Sequence, residues 1–231
     1  MRYLLVIVAL LGWLGCASEE SERAPAPPPA QAAKQEAPAS PPAVEGPVIV
    51  AFGDSLTAGY GAPEGASYPD FLQKELLKRG LEYRVVNEGV SGDTTAMALE
   101  RVDLAIADKP AVVVLALGGN DGLRGLPVEA MEANLRTMVE RFQRAGARVV
   151  LAGMTLPPNF GPAYIRQFEA AFPRVASETG AELLPFLLAD VAANRELNQE
   201  DGIHPTAEGN EIVARTVADF LTPLLETKPK K

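Results

Sequence analysis

Five short runs of apolar, largely β-branched residues recur along this chain: VIVAF (48–52), YRVVN (83–87), AVVVLAL (111–117), RVVLAG (148–153) and AELLPF (181–186). A strand with one wet face alternates apolar and polar residues, whereas a continuous apolar run fits a strand covered on both faces. Between the runs lie stretches with helical spacing. Tyr68, Phe71, Leu72 and Leu76 form one stripe, with Ser67 as N-cap, Pro69 in the first turn and Gly80 just past the end. Met131, Leu135, Met138, Val139 and Phe142 form a second, closed by Gly146. Ile212, Val213, Thr216, Val217 and Phe220 form a third, which Thr206 is placed to cap. Strand and helix alternating at this spacing require right-handed crossovers and a parallel sheet between helical layers. The predicted fold is therefore a flavodoxin-like α/β domain, a three-layer α/β/α sandwich around a five-stranded parallel sheet. Ligands bind such sheets at the carboxyl ends of the strands.

The domain so defined occupies residues 47–225, a length suited to one core. Ahead of it, MRYLLVIVALLGWLGC (1–16) sets one arginine before an apolar run that ends in small residues, which reads as an export signal too short to span a bilayer comfortably. Cys16 follows Gly15 and is the only cysteine, so no disulfide competes for it. The leader resembles a bacterial lipoprotein signal, which implies lipidation at Cys16, although Trp13 and Leu14 depart from the usual pattern. A simply cleaved signal peptide is the alternative. By analogy with Gram-negative sorting rules, Ala17 points the anchored protein to the outer membrane, facing the periplasm. Residues 17–46 are Pro-, Ala-, Glu-, Gln- and Ser-rich, cannot bury enough surface to offset their ordering entropy, and read as a disordered tether. Residues 226–231 read as a polar tail. The formal charge of −9 argues against nucleic acid as a partner.

The residues that follow the strands carry chemistry. The first run leads into GDSLTAGYG, where Gly53 permits a tight turn and Ser55 stands at the strand's exit; Asp54 and Ser55 are equally suited to capping a helix. No lysine follows at phosphate-loop spacing. The second run exits into NEGVSGDTT, where Gly92 offers an uncovered N–H and Asp93 and Thr94 look like a helix start, or all three form an ordinary turn. The third exits into GGNDG, in which Asn120 supplies an amide donor or takes part in a tight Asn-Asp-Gly turn. After the fifth comes Asp201, then His204, the only histidine of the 231 residues. A loop of this length can turn both side chains the same way, so that the carboxylate holds one imidazole nitrogen and leaves the other as a base. No other histidine or thiolate in the domain is available to complete a metal site.

A serine, a glycine N–H, an asparagine amide and an Asp-x-x-His pair thus all fall at strand ends, in the chain order Ser, Asp, His known for Ser-His-Asp hydrolases. The blocks AFGDSLTAGYG, NEGVSGDTT, LALGGNDGLRG and DGIHPTAEGN resemble, in order, those of the SGNH or GDSL hydrolase family over essentially all of 47–225. GGNDGLRG and the loop TLPPNFGPAY (155–164) are most similar to its bacterial thioesterase, lysophospholipase and arylesterase group. The resemblance implies Ser55 as nucleophile, His204 as general base and then acid, and Asp201 as the group that orients the imidazole. It further implies an oxyanion hole formed by the N–H groups of Ser55 and Gly92 and the amide of Asn120, with no cofactor.

The expected function is hydrolysis of acyl esters or thioesters, with small acyl esters or lipids as partners. Leu123, Leu126, Leu156 and Phe160 are candidates for binding an apolar acyl group, or else merely pack the loops. The alternatives are an O-acetylesterase of envelope polysaccharide with the same fold, and a non-catalytic envelope-binding lipoprotein.

Overall fold

Continuous apolar runs pair in parallel at the centre of the structure, a computed structural model that describes residues 45–226. The strands are β1 (Val48–Gly53), β2 (Arg84–Gly89), β3 (Val112–Ala116), β4 (Arg148–Ala152) and β5 (Glu182–Leu184), all parallel in the order β2-β1-β3-β4-β5. This is the doubly wound order expected, and the fold is a three-layer α/β/α sandwich. The expectation of full cover holds for β1, β3 and β4, whose Ile49–Phe52, Val113–Ala116 and Val149–Ala152 are buried. It fails for β2, an edge strand with Arg84 and Asn87 exposed and no residue fully buried. β5, the other edge, is cut to three residues just ahead of Pro185, which has no N–H to continue the ladder.

The helices are α1 (Ser55–Ala58), α2 (Tyr68–Lys78), α3 (Thr95–Glu100), α4 (Val102–Ala107), α5 (Gly119–Leu123), α6 (Val128–Arg144), α7 (Pro162–Thr179) and α8 (Ala207–Glu226). α2 packs against α8, while α6 packs against α3, α4 and α7. The three predicted stripes form α2, α6 and α8. Ser67 caps α2 reciprocally with Asp70, and Thr206 Oγ1 accepts from Gly209 N–H at 3.2 Å. All five members of the Met131–Phe142 stripe are buried. α7 is additional to those three: its stripe of Phe168, Ala171, Phe172 and Val175 is interrupted by Pro173, and it begins at Pro162, inside the expected 155–164 loop. Among the described residues no helix is long and apolar enough to cross a membrane. The leader with Cys16, residues 17–44 of the tether and residues 227–231 of the tail lie outside the described residues.

Candidate active site

Four strand-end loops meet above the sheet. β1 runs straight into the turn that carries the serine: Asp54 caps α1 by accepting from Leu56 N–H at 3.1 Å, and Ser55 is the first helical residue. Capping and exposure of the Ser55 hydroxyl are therefore compatible. Gly53 serves by its size rather than by an unusual dihedral, since a Cβ there would stand 2.0 Å from Thr57 Oγ1 and 2.7 Å from the Ala116 carbonyl. Gly89 does the same at the end of β2, where a Cβ would stand 2.1 Å from Ala58 N. Only with both glycines can the serine turn sit this close to the sheet.

Gly92 adopts a φ of 87°, the left-handed region open to glycine, and its carbonyl accepts from Arg124 Nη2 at 2.8 Å. Among the described residues the N–H groups of Ser55 and Gly92 have no hydrogen-bond acceptor. Thr94 is the N-cap of α3, accepting from Met97 N–H, whereas Asp93 turns away to bind Arg101 Nε at 2.7 Å. The helix thus starts where Asp93 and Thr94 indicated, with Thr94 as its cap and Asp93 held in a charge-assisted bond to a guanidinium.

After β3 the predicted Asn-Asp-Gly turn is replaced by the helical turn α5, opened by Gly118 at φ 110°. Asn120 Nδ2 donates to the Asp93 carbonyl at 3.0 Å and lies 3.4 Å from Asp54 Oδ2. Asp121, whose role no local pattern signals, is buried and accepts two hydrogen bonds from Thr95.

The loop before α8 completes the group. Asp201 Oδ1 accepts from the N–H groups of Ile203 and His204, each at 3.0 Å, and Oδ2 lies 2.7 Å from His204 Nδ1. His204 Nε2 lies 2.8 Å from Ser55 Oγ, 149 positions earlier in the chain. Gln199 fastens this loop to the serine loop, donating through Nε2 to the carbonyls of Tyr60 and Pro205. The Tyr60 ring packs against the imidazole, tilted by 45° with centroids 4.8 Å apart. Neither Tyr60 nor Gln199 shows a chemical signature in sequence that would have singled it out.

Two carboxyls are perturbed in opposite senses. Asp54, 2% exposed, is pushed up to about 6, mainly by burial and further by Asp121 and Asp93, against the Leu56 N–H and His204, which lower it. Burial also raises Asp201, but the hydrogen bonds from His204 and Ile203 outweigh it and hold that carboxyl below its ordinary value. Among the described residues no group of three or more His, Cys, Asp or Glu side chains is placed to hold a metal ion.

Ser55, Gly92, Asn120 and His204 all line one open cavity of about 540 Å³. Its remaining wall is largely apolar, with Leu123, Met154, Leu156, Phe186, Leu188 and Ile203. Leu123 and Leu156 thus stand where an acyl-binding role requires. Leu126 and Phe160 do not line the cavity: Leu126 is 37% exposed, and Phe160 packs beside the Tyr164 ring on α7. Tyr164 also donates from its hydroxyl to the Leu126 carbonyl at 3.2 Å. Met154 and Phe186 follow β4 and β5, the same strand-end rule that located the polar residues.

Residues 51–212 match the GDSL-like lipase/acylhydrolase family. The chain belongs to that family. It is 40% identical to the esterase TesA of Pseudomonas aeruginosa over 178 residues, covering 77% of this chain and 89% of that protein. Over 178 residues it is 35% identical to the thioesterase 1/protease 1/lysophospholipase L1 of Escherichia coli K12, covering 77% and 84%. The crystal structure of the psychrotrophic esterase EstA from Pseudoalteromonas sp., inhibited by monoethylphosphonate, superposes with a TM-score of 0.75 at 32% identity, covering 79% of this chain and all of that one. As a member of the GDSL-like acylhydrolases, the chain is a carboxylic ester hydrolase with a small-molecule ester substrate.

Proposed function

We propose that this GDSL-family hydrolase cleaves esters of apolar acyl groups through a covalent Ser55 acyl-enzyme. The observation that carries the reading is the unbroken line Asp201 Oδ2, His204 Nδ1, His204 Nε2, Ser55 Oγ, with spacings of 2.7 and 2.8 Å at the mouth of an apolar cavity. With Asp201 holding the proton on Nδ1, Nε2 is left to take the Ser55 proton as Oγ attacks the ester carbonyl. The carbonyl oxygen gains negative charge and is received by the N–H groups of Ser55 and Gly92 and by Asn120 Nδ2. Collapse breaks the ester C–O bond while Nε2–H protonates the departing alkoxide. A water then repeats the cycle: Nε2 takes its proton, the hydroxyl adds to the acyl carbon, and Ser55 leaves with the proton returned.

Leu123 and Leu156, with Met154, Phe186 and Leu188, favour an apolar acyl chain over acetyl, which makes lysophospholipids and comparable lipid esters the substrate class. The envelope is the setting we infer, with residues 1–16 as leader, Cys16 as the lipid attachment point and 17–46 as tether to the 47–225 domain. Two or more acyl chains on Cys16 give stable anchoring.

Purified enzyme assayed on p-nitrophenyl esters from acetyl to dodecanoyl tests the acyl preference. Rising kcat/KM from acetyl to medium chains is expected. A maximum at acetyl, together with release of acetate from acetylated polysaccharide, would contradict it. For the anchor, Cys16→Ser is expected to move the protein out of the membrane fraction, and unchanged partitioning would contradict lipidation.

A further inference from the structure

Arg101 stands just past α3, does not line the cavity, and has no part in the mechanism above. Its side chain is nevertheless only 15% exposed, and each nitrogen of its guanidinium donates a hydrogen bond. Nη2 donates to the Gly53 carbonyl at 2.8 Å, Nη1 to the Glu88 carbonyl at 2.9 Å and Nε to Asp93 Oδ2 at 2.7 Å. The guanidinium carbon lies 4.1 Å from the centre of the Phe52 ring. These contacts converge on the segments that hold the three oxyanion donors. Gly53 is two residues before Ser55, and Glu88 is the penultimate residue of β2, the strand that leads to Gly92. Asp93 follows Gly92 directly and presents its own carbonyl to Asn120 Nδ2 at 3.0 Å.

We propose that Arg101 is a positioning residue that sets the mutual spacing of the Ser55, Gly92 and Asn120 donors, an inference that rests on the oxyanion reading above. The chemistry suits arginine and not lysine. A planar fork with five N–H donors spread over three nitrogens binds two main-chain carbonyls and a carboxylate at once and stacks flat on an aromatic face; an ammonium gathers its three donors on one atom and has no plane to stack. Donors aimed at a developing charge must be held to a fraction of an ångström, and a displacement of about 1 Å can cost about 10²-fold in rate. Asp93 completes the device: its side chain is held by Arg101 while its carbonyl orients Asn120, so a shift of the guanidinium reaches the amide through one residue. The walls of the acyl cavity are not touched by Arg101, so substrate affinity should be spared.

The test measures kcat and KM on p-nitrophenyl butyrate for Arg101→Lys and for the milder Asp93→Asn, each alone and combined with Asn120→Ala. Thermal melts confirm that each protein is folded, and Asp93→Asn carries the test should Arg101→Lys not fold. The expected result is a fall in kcat of about 10- to 100-fold with KM within about threefold of wild type. In the Asn120→Ala background, where one positioned donor is already gone, the same substitutions should cost several-fold less. Wild-type kcat in the folded variants, a loss confined to KM, or an equal loss in both backgrounds would each overturn the inference. If Asn120→Ala alone kept full activity, the oxyanion reading itself would fall; loss in Asn120→Ala without loss in the other variants would overturn only the role of Arg101.

Discussion

The Asp121 carboxylate accepts two hydrogen bonds from Thr95, 2.8 Å from its N–H and 2.6 Å from its hydroxyl, and both residues are buried. This joint ties α5, which carries Asn120, to the start of α3 beside Gly92. Asn134 donates in turn to the Thr95 hydroxyl at 3.1 Å. Thr95→Val keeps the branched shape but leaves a buried carboxylate with one donor, at an expected cost of about 1–3 kcal/mol. Urea unfolding should show a lowered midpoint with an unchanged slope. An unaltered midpoint would mean that the joint contributes nothing to stability.

Asp54 gives a pH dependence of defined sign. Burial raises its carboxyl to about 6 in the folded chain, against ~3.9 unfolded. The folded state therefore binds the proton more tightly, and stability falls as pH rises through the window from about 4 to 6. Ionised Asp54 costs the fold about 3 kcal/mol at most. Asp54→Asn retains an acceptor for Leu56 N–H, so it should be more stable than wild type at pH 8 and converge with it below pH 4. Parallel unfolding curves for the two proteins across this range would refute the assignment.

Asp201 has the opposite sense. Its carboxyl is held below the ordinary range, so its contribution is present above the unfolded value and is lost only as pH falls through the lowered one. Asp201→Asn removes the acceptor that fixes the His204 tautomer. The expected effect is a fall in kcat of roughly 10²- to 10⁴-fold with a modest change in KM. A loss below about tenfold would remove Asp201 from the catalytic group.

The cavity makes its own prediction. Leu188 lines the wall and is only partly buried, so a larger side chain there can fill space without disrupting the core. Leu188→Trp should lower kcat/KM for octanoyl and longer p-nitrophenyl esters while leaving the acetyl ester within about threefold. An unchanged chain-length profile would place the acyl group elsewhere.

Both the sheet and the candidate site residues at its strand ends were legible in sequence for the same reason. Ile49–Phe52 and Val113–Ala116 are apolar without interruption because both faces are covered, and a covered parallel strand must deliver its next residue to the crevice. That rule located Ser55, Gly92, Asn120 and the Asp201–His204 pair. It failed for residues whose role depends on neighbours distant in sequence. Arg101 looks like any helix-end arginine until Gly53, Glu88 and Asp93 surround it, and Gln199 is an ordinary loop amide until it meets the Tyr60 carbonyl. Leu126 and Phe160 carried the right chemistry, but Leu126 is exposed and Phe160 packs against the core beside Tyr164 on α7, a helix hidden by Pro173. Gly53 and Gly89 work by the volume of a missing Cβ, which no local pattern displays.

Hydrolysis of p-nitrophenyl butyrate by wild type, Ser55→Ala and His204→Ala, all at equal concentration and shown to be folded, bears most directly on the 2.8 Å contact between Ser55 and His204. Each substitution alone should lower kcat by about 10⁴- to 10⁶-fold, and the double variant, made for comparison, should be scarcely worse than either single one, because the two groups act as a unit. Activity in Ser55→Ala equal to wild type would contradict it.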